Sequence, residues 1–168
     1  LRSFTPVPDT LLAGFSEEQV KAIRDEHEAL QMTLTALGLR KEGYLRDAFD
    51  TLSTALEMAP RNPLIRDALV TLLMTSGDER LAEGDVEQAA MQYQMALHLR
   101  PTEFMAIFHL IDLAMRAGQP TIADDLLKRG ETYYPDAALF LGLRGRYIAS
   151  SEGDFARAAE YLKRAVEQ

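Results

Sequence analysis

The chain has 168 residues, of which 47% are apolar, and it carries a formal net charge of −8 at neutral pH. This length and apolar content suffice for one domain with a continuous core. The acidic balance argues against a surface for duplex nucleic acid or for an acidic membrane, because both need a basic face. Cysteine is absent, which excludes a disulfide framework, a thiolate zinc site and a cysteine nucleophile. No run approaches the roughly 18 apolar residues of a membrane span, so we expect a soluble segment.

Residues 1–15 carry Pro6, Pro8 and Gly14 and show no helical period. This composition predicts an extended leader or linker. Because the chain begins at Leu1 without methionine, we expect it to be an excerpt of a longer protein. Its compartment, cytoplasmic or periplasmic, stays open.

Ser16 and Gln19 form the pattern of a capping box, which predicts a long helix from there to about Glu42. Its apolar stripe has the alternating spacing of three and four that is typical of coiled coils. The stripe consists of Val20, Ile23, His27, Leu30, Leu34 and Leu37. One interpretation folds the first residues of the stripe onto the following helix as a cap. The other pairs this half of the helix with a second copy of the chain.

Four later segments share one pattern of residues behind a glycine, at offsets of +5, +9, +12 and +17. The members are Gly43, Ala48, Leu52, Ala55 and Pro60; Gly84, Ala89, Tyr93, Ala96 and Pro101; Gly118, Ala123, Leu127, Gly130 and Pro135; and Gly153, Ala158, Leu162 and Ala165, where the chain ends before a proline. Identical offsets in four places indicate one repeated helix-turn-helix unit. The small residues at +5 and +12 lie on one face of the second helix, where they allow a close neighbour. The glycine ends the first helix and the proline ends the second.

The pattern resembles the tetratricopeptide repeat family, whose period is about 34 residues. Pro101 and Pro135 lie 34 residues apart. The resemblance covers residues 29–168 and implies an all-α fold, a right-handed α-solenoid of four helix pairs with an N-terminal helical extension. We expect one solenoid over 16–168, with repeats at about 29–62, 63–103, 104–137 and 138–168.

Repeat two departs from this period, because Pro60 and Pro101 lie 41 residues apart. Either Gly77 is a kink and the first helix runs from Pro63 to Glu83, or Gly77 is the turn and the second helix is longer. Repeat three predicts helices over 103–117 and 121–133, and repeat four over 137–151 and 154–168. Repeat four has one extra residue before Gly153.

No constellation of residues indicates catalysis, so we expect no enzyme activity, no metal and no cofactor. His27, His98 and His109 have no partner at metal-ligand spacing, and Gln31 stands where a zinc-protease motif would place its second histidine. Phosphate-binding loops and nucleophile elbows are absent from the sequence. The pair Gly142 and Gly145 predicts close helix packing.

In the tetratricopeptide family the first helices line a groove that holds a partner segment. The resemblance therefore implies groove positions Thr33, Leu37, Arg40, Asp67, Thr71, Met74, Met105, Phe108, His109, Asp112, Met115, Arg116, Leu143, Arg146 and Tyr147. Ile107, Leu110, Ile111 and Ala114 are expected in the core of repeat three. Met105, Phe108 and Met115 are left without a core role, and they either contact an apolar partner or are covered by neighbouring helices.

One branch of the family holds the terminal carboxylates of chaperone peptides with lysine, asparagine and arginine. The corresponding positions here are Thr33, Leu37, Ala68, Met105 and His109, of which only a protonated His109 would carry the charge. We therefore expect no binding of chaperone C-terminal peptides.

Three hypotheses of function follow. The chain is an interaction scaffold that binds an apolar or amphipathic segment of a protein or peptide partner, with no nucleic acid and no direct membrane contact. Alternatively, it is a homo-oligomerisation module that self-associates through Val20, Ile23, His27, Leu162 and Val166. The third hypothesis is a docking or regulatory domain of a larger catalytic or membrane protein.

Overall fold

The computed structural model describes residues 5–168, and this part of the chain forms eight α-helices and no β-strand. The helices are α1 (Glu17–Lys41), α2 (Leu45–Met58), α3 (Pro63–Ala82), α4 (Val86–Leu99), α5 (Phe104–Arg116), α6 (Pro120–Tyr133), α7 (Ala138–Tyr147) and α8 (Phe155–Glu167). A short 3₁₀ turn covers Asp9–Leu11 and a π-helical turn covers Ile148–Glu152. The predicted all-α helical repeat is confirmed. Within residues 5–168 no helix is both long and apolar enough to cross a bilayer.

The predicted helix ends are present. The Ser16 side chain accepts a hydrogen bond from the Gln19 backbone N–H, and the Gln19 side chain accepts one from the Ser16 N–H. Gly43, Gly84 and Gly118 adopt positive φ angles of 88°, 83° and 65°, a conformation that favours glycine. Each of them ends the first helix of a pair, as predicted.

The small residues of the pattern are buried between helices. Ala48, Ala89 and Ala123 are fully buried. Gly130 is small for a specific reason, since a Cβ there would lie 2.9 Å from the ring of Phe140. The offsets in the sequence therefore mark places where a small residue is buried between neighbouring helices.

Gly77 lies inside α3 and is not a turn, so the first helix of repeat two carries the extra seven residues. A Cβ at Gly77 would lie 2.6 Å from Cε1 of Tyr93. Glycine at this position therefore lets the buried Tyr93 ring pack directly on the backbone of α3. Of the predicted glycine pair in repeat four, Gly145 packs against Leu162, whereas Gly142 has no atom within 4 Å of a built Cβ, so the prediction of close packing is wrong for Gly142.

The extra residue of repeat four is absorbed by the π-helical turn at Ile148–Glu152. There the Gly153 N–H donates to the Ile148 carbonyl five residues earlier, and Gly153 has a φ of 71°. A π turn accommodates one additional residue while the helix continues, so the turn at Gly153 is kept.

The chain divides into two compact units, Leu1–Ser76 and Gly77–Gln168. In the first unit α1 packs against α2. The buried side of α1 consists of Ala29, Thr33 and Ala36, while Leu34 of the predicted stripe is 64% exposed. The small residues are therefore the most deeply buried part of the contact face of α1, and Leu30 and Leu37 of the stripe are half-buried beside them. The single solenoid over 16–168 stays a prediction.

The N-terminal half of α1 lies against the preceding segment. His27 Nε2 lies 2.8 Å from the Thr5 carbonyl oxygen, and Arg24 forms an ion pair with Asp9 at 2.7 Å. Val20 and Ile23 are half-buried. Residues 1–4 of the predicted leader lie outside the described residues.

The second unit has a core of large side chains, with Tyr93, Ile107, Ile111, Leu127 and Phe140 fully buried. The core prediction for Ile107, Leu110, Ile111 and Ala114 is confirmed. Successive helices pack in order, α4 on α5, α5 on α6, α6 on α7 and α7 on α8, and α5 also lies beside α7.

Candidate functional site

The second unit contains a cleft of about 810 Å³ where the C-terminal ends of α5 and α7 meet the start of α6 and the π-helical turn. Four predicted groove residues line it, namely Met115, Arg116, Arg146 and Tyr147. Pro120, Gln119 and three small residues of the π-helical turn complete the wall. The cleft therefore combines an apolar thioether and an aromatic ring with two cationic side chains.

The two arginines of the cleft share one carboxylate. Arg116 Nε lies 2.7 Å from Asp112 Oδ2, and Arg146 Nη1 lies 3.4 Å from Asp112 Oδ1. The Asp112 side chain is only 16% exposed, whereas Arg116 and Arg146 are 71% and 56% exposed. Each guanidinium therefore keeps donors free for a carboxylate or a carbonyl of a partner.

A second polar group joins α3, α4 and α5. The Tyr93 hydroxyl donates to Asp78 Oδ1 at 2.8 Å, and His109 Nε2 lies 3.6 Å from the same oxygen. The Tyr93 and His109 rings stack at 4.8 Å, and Phe108 contacts His109 edge-on. His109 is thereby held between aromatic rings and a carboxylate.

Burial lowers the pKa of His109, and the negative charges of Asp78 and Asp112 act in the opposite direction. Burial also raises the pKa of Tyr93, as do its hydrogen bond to Asp78 and the charge of that carboxylate. With its pKa lowered, His109 is neutral at pH 7, so it does not supply the cation that a peptide carboxylate would need.

The structure places the other predicted residues outside the cleft. Leu143 is buried at 3% exposure, and Thr33 is buried at 6% with its hydroxyl donating to the Ala29 carbonyl. Both side chains pack inside the protein and do not line the cleft. Met105 is 39% exposed and Phe108 is half-buried. The first unit carries the exposed Asp67 and Thr71 and the half-buried Leu37, Arg40 and Met74.

Comparison with known proteins finds a likeness in structure only. No family model matches the chain, and no curated protein matches it. The crystal structure of MamA aligns with a TM-score of 0.53 at 15% identity, over 83% of this chain and 77% of MamA. A MamA point mutant and MamA MSR-1 C2 align with TM-scores of 0.47 at 16% identity, over 94% of this chain and 83% and 82% of theirs. The fold is that of a tetratricopeptide-like helical repeat.

A second groove of this tetratricopeptide-like fold does not follow from the sequence pattern. It measures about 870 Å³ and lies between α4 and α6, with Leu110 and Leu113 of α5 at its base and Val86 and Ile122 on its walls. These walls belong to the second helices of their repeats, whereas the family resemblance predicts a groove lined by the first helices. The one signal in the sequence for this groove is that the apolar Val86 and Ile122 stand at positions outside the glycine, alanine and proline pattern.

No group of three or more histidine, aspartate or glutamate side chains in residues 5–168 has the arrangement of a metal site. His27, which begins a zinc-protease-like motif, instead lies against the Thr5 carbonyl. The chemistry that the described side chains of the cleft offer is therefore apolar contact and hydrogen bonding to carboxylates.

Proposed function

We propose that this chain is a non-enzymatic protein-interaction scaffold whose cleft between α5 and α7 binds an apolar or amphipathic segment of a partner protein. The observation that carries the proposal is the meeting of Met115 and Tyr147 with Arg116 and Arg146 around one cleft. A methionine repacks against differently shaped apolar groups at low cost. The arginines at its rim suit a segment that carries a carboxylate beside its apolar residues.

The size of the cleft supports a short segment and not a whole domain. Its volume of about 810 Å³ falls in the range of sites that hold a few side chains. The net charge of −8 opposes long-range attraction of an acidic partner, so we expect affinity to come from contact in the cleft.

A phage-displayed peptide library tests the proposal, because selection from random sequences needs no identified partner. Peptides selected on the wild-type chain are measured by fluorescence anisotropy against Met115→Asp, Tyr147→Asp and a control, Met91→Asp. Met91 is a 51% exposed methionine of α4 that lines neither groove. We expect the two cleft variants to weaken binding at least about tenfold, because burying such a side chain contributes roughly 1.5–3 kcal/mol.

The control variant should bind like the wild type. Selected peptides that bind both cleft variants as tightly as the wild type would contradict the proposal, provided that circular dichroism shows unchanged helix content. Phe108→Asp gives a second comparison for peptide binding, since Phe108 lies on the same helix as Met115 but outside the cleft.

A further inference from the structure

The groove between α4 and α6 is apolar on its floor and on both walls. Leu110 and Leu113 of α5 form the floor and are buried, whereas the walls carry Val86 of α4 and Ile122 of α6, which are 42% and 51% exposed. The α4–α6 groove measures about 870 Å³, which falls in the range of sites that bury a few side chains of a ligand. Two large apolar side chains on facing walls are therefore accessible to a binding partner.

The next repeat differs at the floor of the corresponding groove. Counted from the preceding proline, Arg144 of α7 takes the place of Leu110 of α5. The Arg144 guanidinium is bound by Asp124 and Glu131 of α6, and its side chain is 8% exposed. Leu110 is shorter and carries no polar group, so the floor of the α4–α6 groove brings no charge into it. This floor suits apolar side chains and would disfavour a buried charge.

The rim of the α4–α6 groove carries two carboxylates without a cationic partner. Glu87 directly follows the wall residue of α4, and Asp125 lies one turn after the wall residue of α6. Both residues are exposed, and neither has an ion pair or a hydrogen bond to a described residue. The neighbouring Lys128 is held by Asp124 at 2.7 Å. The two carboxylates are therefore available to cations of a partner.

Among the described residues that line the groove, Arg129 is the one lysine or arginine. Its Nε and Nη2 donate to the Pro101 carbonyl at 3.2 and 2.7 Å. Pro101 follows the C-terminal end of α4, whereas Glu87 lies at its start, about 20 Å away along the helix. The groove is thus acidic where its exposed apolar walls stand, and its own cation is tethered at the other end.

We propose that the α4–α6 groove binds a cationic amphipathic segment of a partner protein. Apolar side chains of the segment enter between Val86 and Ile122, and lysine or arginine side chains beside them pair with Glu87 and Asp125. Apolar burial supplies most of the affinity, while the exposed ion pairs select the sign of the charge. The net charge of −8 favours the encounter with a cationic segment. This site is separate from the cleft between α5 and α7.

Selection of peptides with a subtraction step tests the proposal. A phage-displayed library is first depleted of peptides that bind Ile122→Asp and is then selected on the wild-type chain, so peptides that bind elsewhere are discarded. We expect the selected peptides to carry lysine or arginine close to large apolar residues. Ile122→Asp should fold, because the side chain is 51% exposed and lies in the first turn of α6, where a negative charge is favourable.

Fluorescence anisotropy of a selected peptide measures the apolar contribution. Val86→Asp should weaken binding at least about tenfold, as Ile122→Asp does, because each places a charge against the apolar part of the segment. Val166→Asp is the matched control, since Val166 is an exposed valine on α8 outside the groove, and it should bind like the wild type. Met115→Asp should also bind like the wild type, which separates this site from the cleft.

Two double variants of equal net charge measure the contribution of the carboxylates. Glu87→Gln with Asp125→Asn should weaken binding about threefold to tenfold at low salt and remove most of its salt dependence. The control is Glu57→Gln with Glu160→Gln, at exposed positions of α2 and α8 outside the groove. It changes the net charge by the same amount and should bind nearly like the wild type, because long-range attraction alone does not depend on which carboxylates are lost.

Three results would overturn the proposal. A library from which subtraction leaves no peptide would show that the groove does not bind segments of this size. Selected peptides without basic residues, or equal effects of the two double variants, would show that Glu87 and Asp125 do not select the partner. Self-association of the wild-type chain that Ile122→Asp abolishes in sedimentation equilibrium would assign the groove to a second copy.

Discussion

At the residue scale, the contact between Gly77 and Tyr93 predicts that substitution by alanine changes the free energy of unfolding in opposite directions at two glycines. Gly77→Ala should lower the free energy of unfolding by about 1–2 kcal/mol, because overpacking against the buried ring outweighs the gain in helix propensity. Gly142→Ala also lies within a helix but meets no atom within 4 Å, so it should raise the free energy of unfolding by up to about 1 kcal/mol. Urea denaturation monitored by circular dichroism measures both. Equal effects of the two substitutions would contradict the assigned role of Gly77.

The lowered pKa of His109 predicts that the stability of the fold depends on pH. Its pKa is lowered in the folded protein, so the unfolded chain binds more protons between that value and the unfolded pKa of about 6.5. The free energy of unfolding should therefore fall as the pH drops below about 6.5. The groups that face the imidazole are Asp78, Asp112, Tyr93 and Phe108.

His109→Gln removes this titration. The variant should lose less stability than the wild type between pH 8 and pH 5, as measured by urea denaturation at each pH. His98→Gln, at an exposed position of α4, is the control and should follow the wild-type curve. Parallel curves for wild type and His109→Gln would show that His109 does not cause the pH dependence.

Single residues also show where sequence reasoning succeeds. The turn glycines and the buried alanines follow from offsets along one chain, because helix ends and close helix contacts restrict residue type locally. The role of Gly77 does not follow from offsets, since it depends on where the Tyr93 ring lies. Offsets alone assign Thr33 and Leu143 to the groove, whereas the structure buries both side chains, and burial depends on the packing of neighbouring helices.

At the scale of elements, Arg144 joins α7 to α6. Its guanidinium donates twice to Glu131 at 2.7 Å and once to Asp124, and the side chain is 8% exposed. The hydrogen bonds to Glu131, and then to Asp124, raise the pKa of Arg144 against the effect of burial. Arg144→Leu should lower the free energy of unfolding by about 2–4 kcal/mol, since it takes this partner from the partly buried Glu131 carboxylate and leaves Asp124 with Lys128 alone.

Arg146→Leu is the matched control for this change. Arg146 is 56% exposed and lies 3.4 Å from Asp112, so its loss should cost less than about 1 kcal/mol in a thermal or urea denaturation experiment. A similar cost for both arginines would show that burial does not set the strength of the Arg144 contacts.

Counted from the preceding glycine or proline, Ala90, Leu97 and Leu110 take the places of Asp124, Glu131 and Arg144 one repeat earlier. The neutral interface between α4 and α5 therefore suggests how to recover the stability lost at Arg144. The triple variant Arg144→Leu, Asp124→Ala, Glu131→Leu copies Leu110, Ala90 and Leu97 onto α7 and α6. It should regain most of the stability lost in the single variant, because a well-packed apolar set can replace a buried ion pair. Urea denaturation of the two variants side by side measures the difference. A triple variant no more stable than Arg144→Leu would contradict the equivalence of the two interfaces.

Elements also limit what the sequence reveals. The extra residue before Gly153 is visible in the repeat spacing, but its form as a π-helical turn depends on backbone hydrogen bonds that no residue type encodes. The same turn forms one wall of the cleft. Four of the predicted groove residues meet there because α5 lies beside α7, and that neighbour relation comes from the repeat and not from any local motif.

At the scale of the whole molecule, the boundary between the two compact units falls within α3, after Ser76. The groove residues predicted in α1 and α3 belong to the first unit and those in α5 and α7 to the second. A repeat pattern treats all four copies as equivalent, whereas the buried side chains differ between them. The contact face of α1 consists of two alanines and a threonine, while α5 and α7 bury isoleucines and a phenylalanine.

This difference predicts that the pair of α1 and α2 unfolds at a lower urea concentration than the second unit. Repeat proteins are stabilised by interfaces between neighbours, and small side chains bury less apolar area at each interface. The chain has no tryptophan, so Phe49→Trp and Tyr161→Trp, both at half-buried positions, give one fluorescent reporter in each unit. We expect the fluorescence midpoint of the Phe49→Trp variant to lie below that of the Tyr161→Trp variant, with circular dichroism spanning both transitions. Coincident midpoints from all three signals would show that the continuous helix α3 couples the units into one cooperative transition.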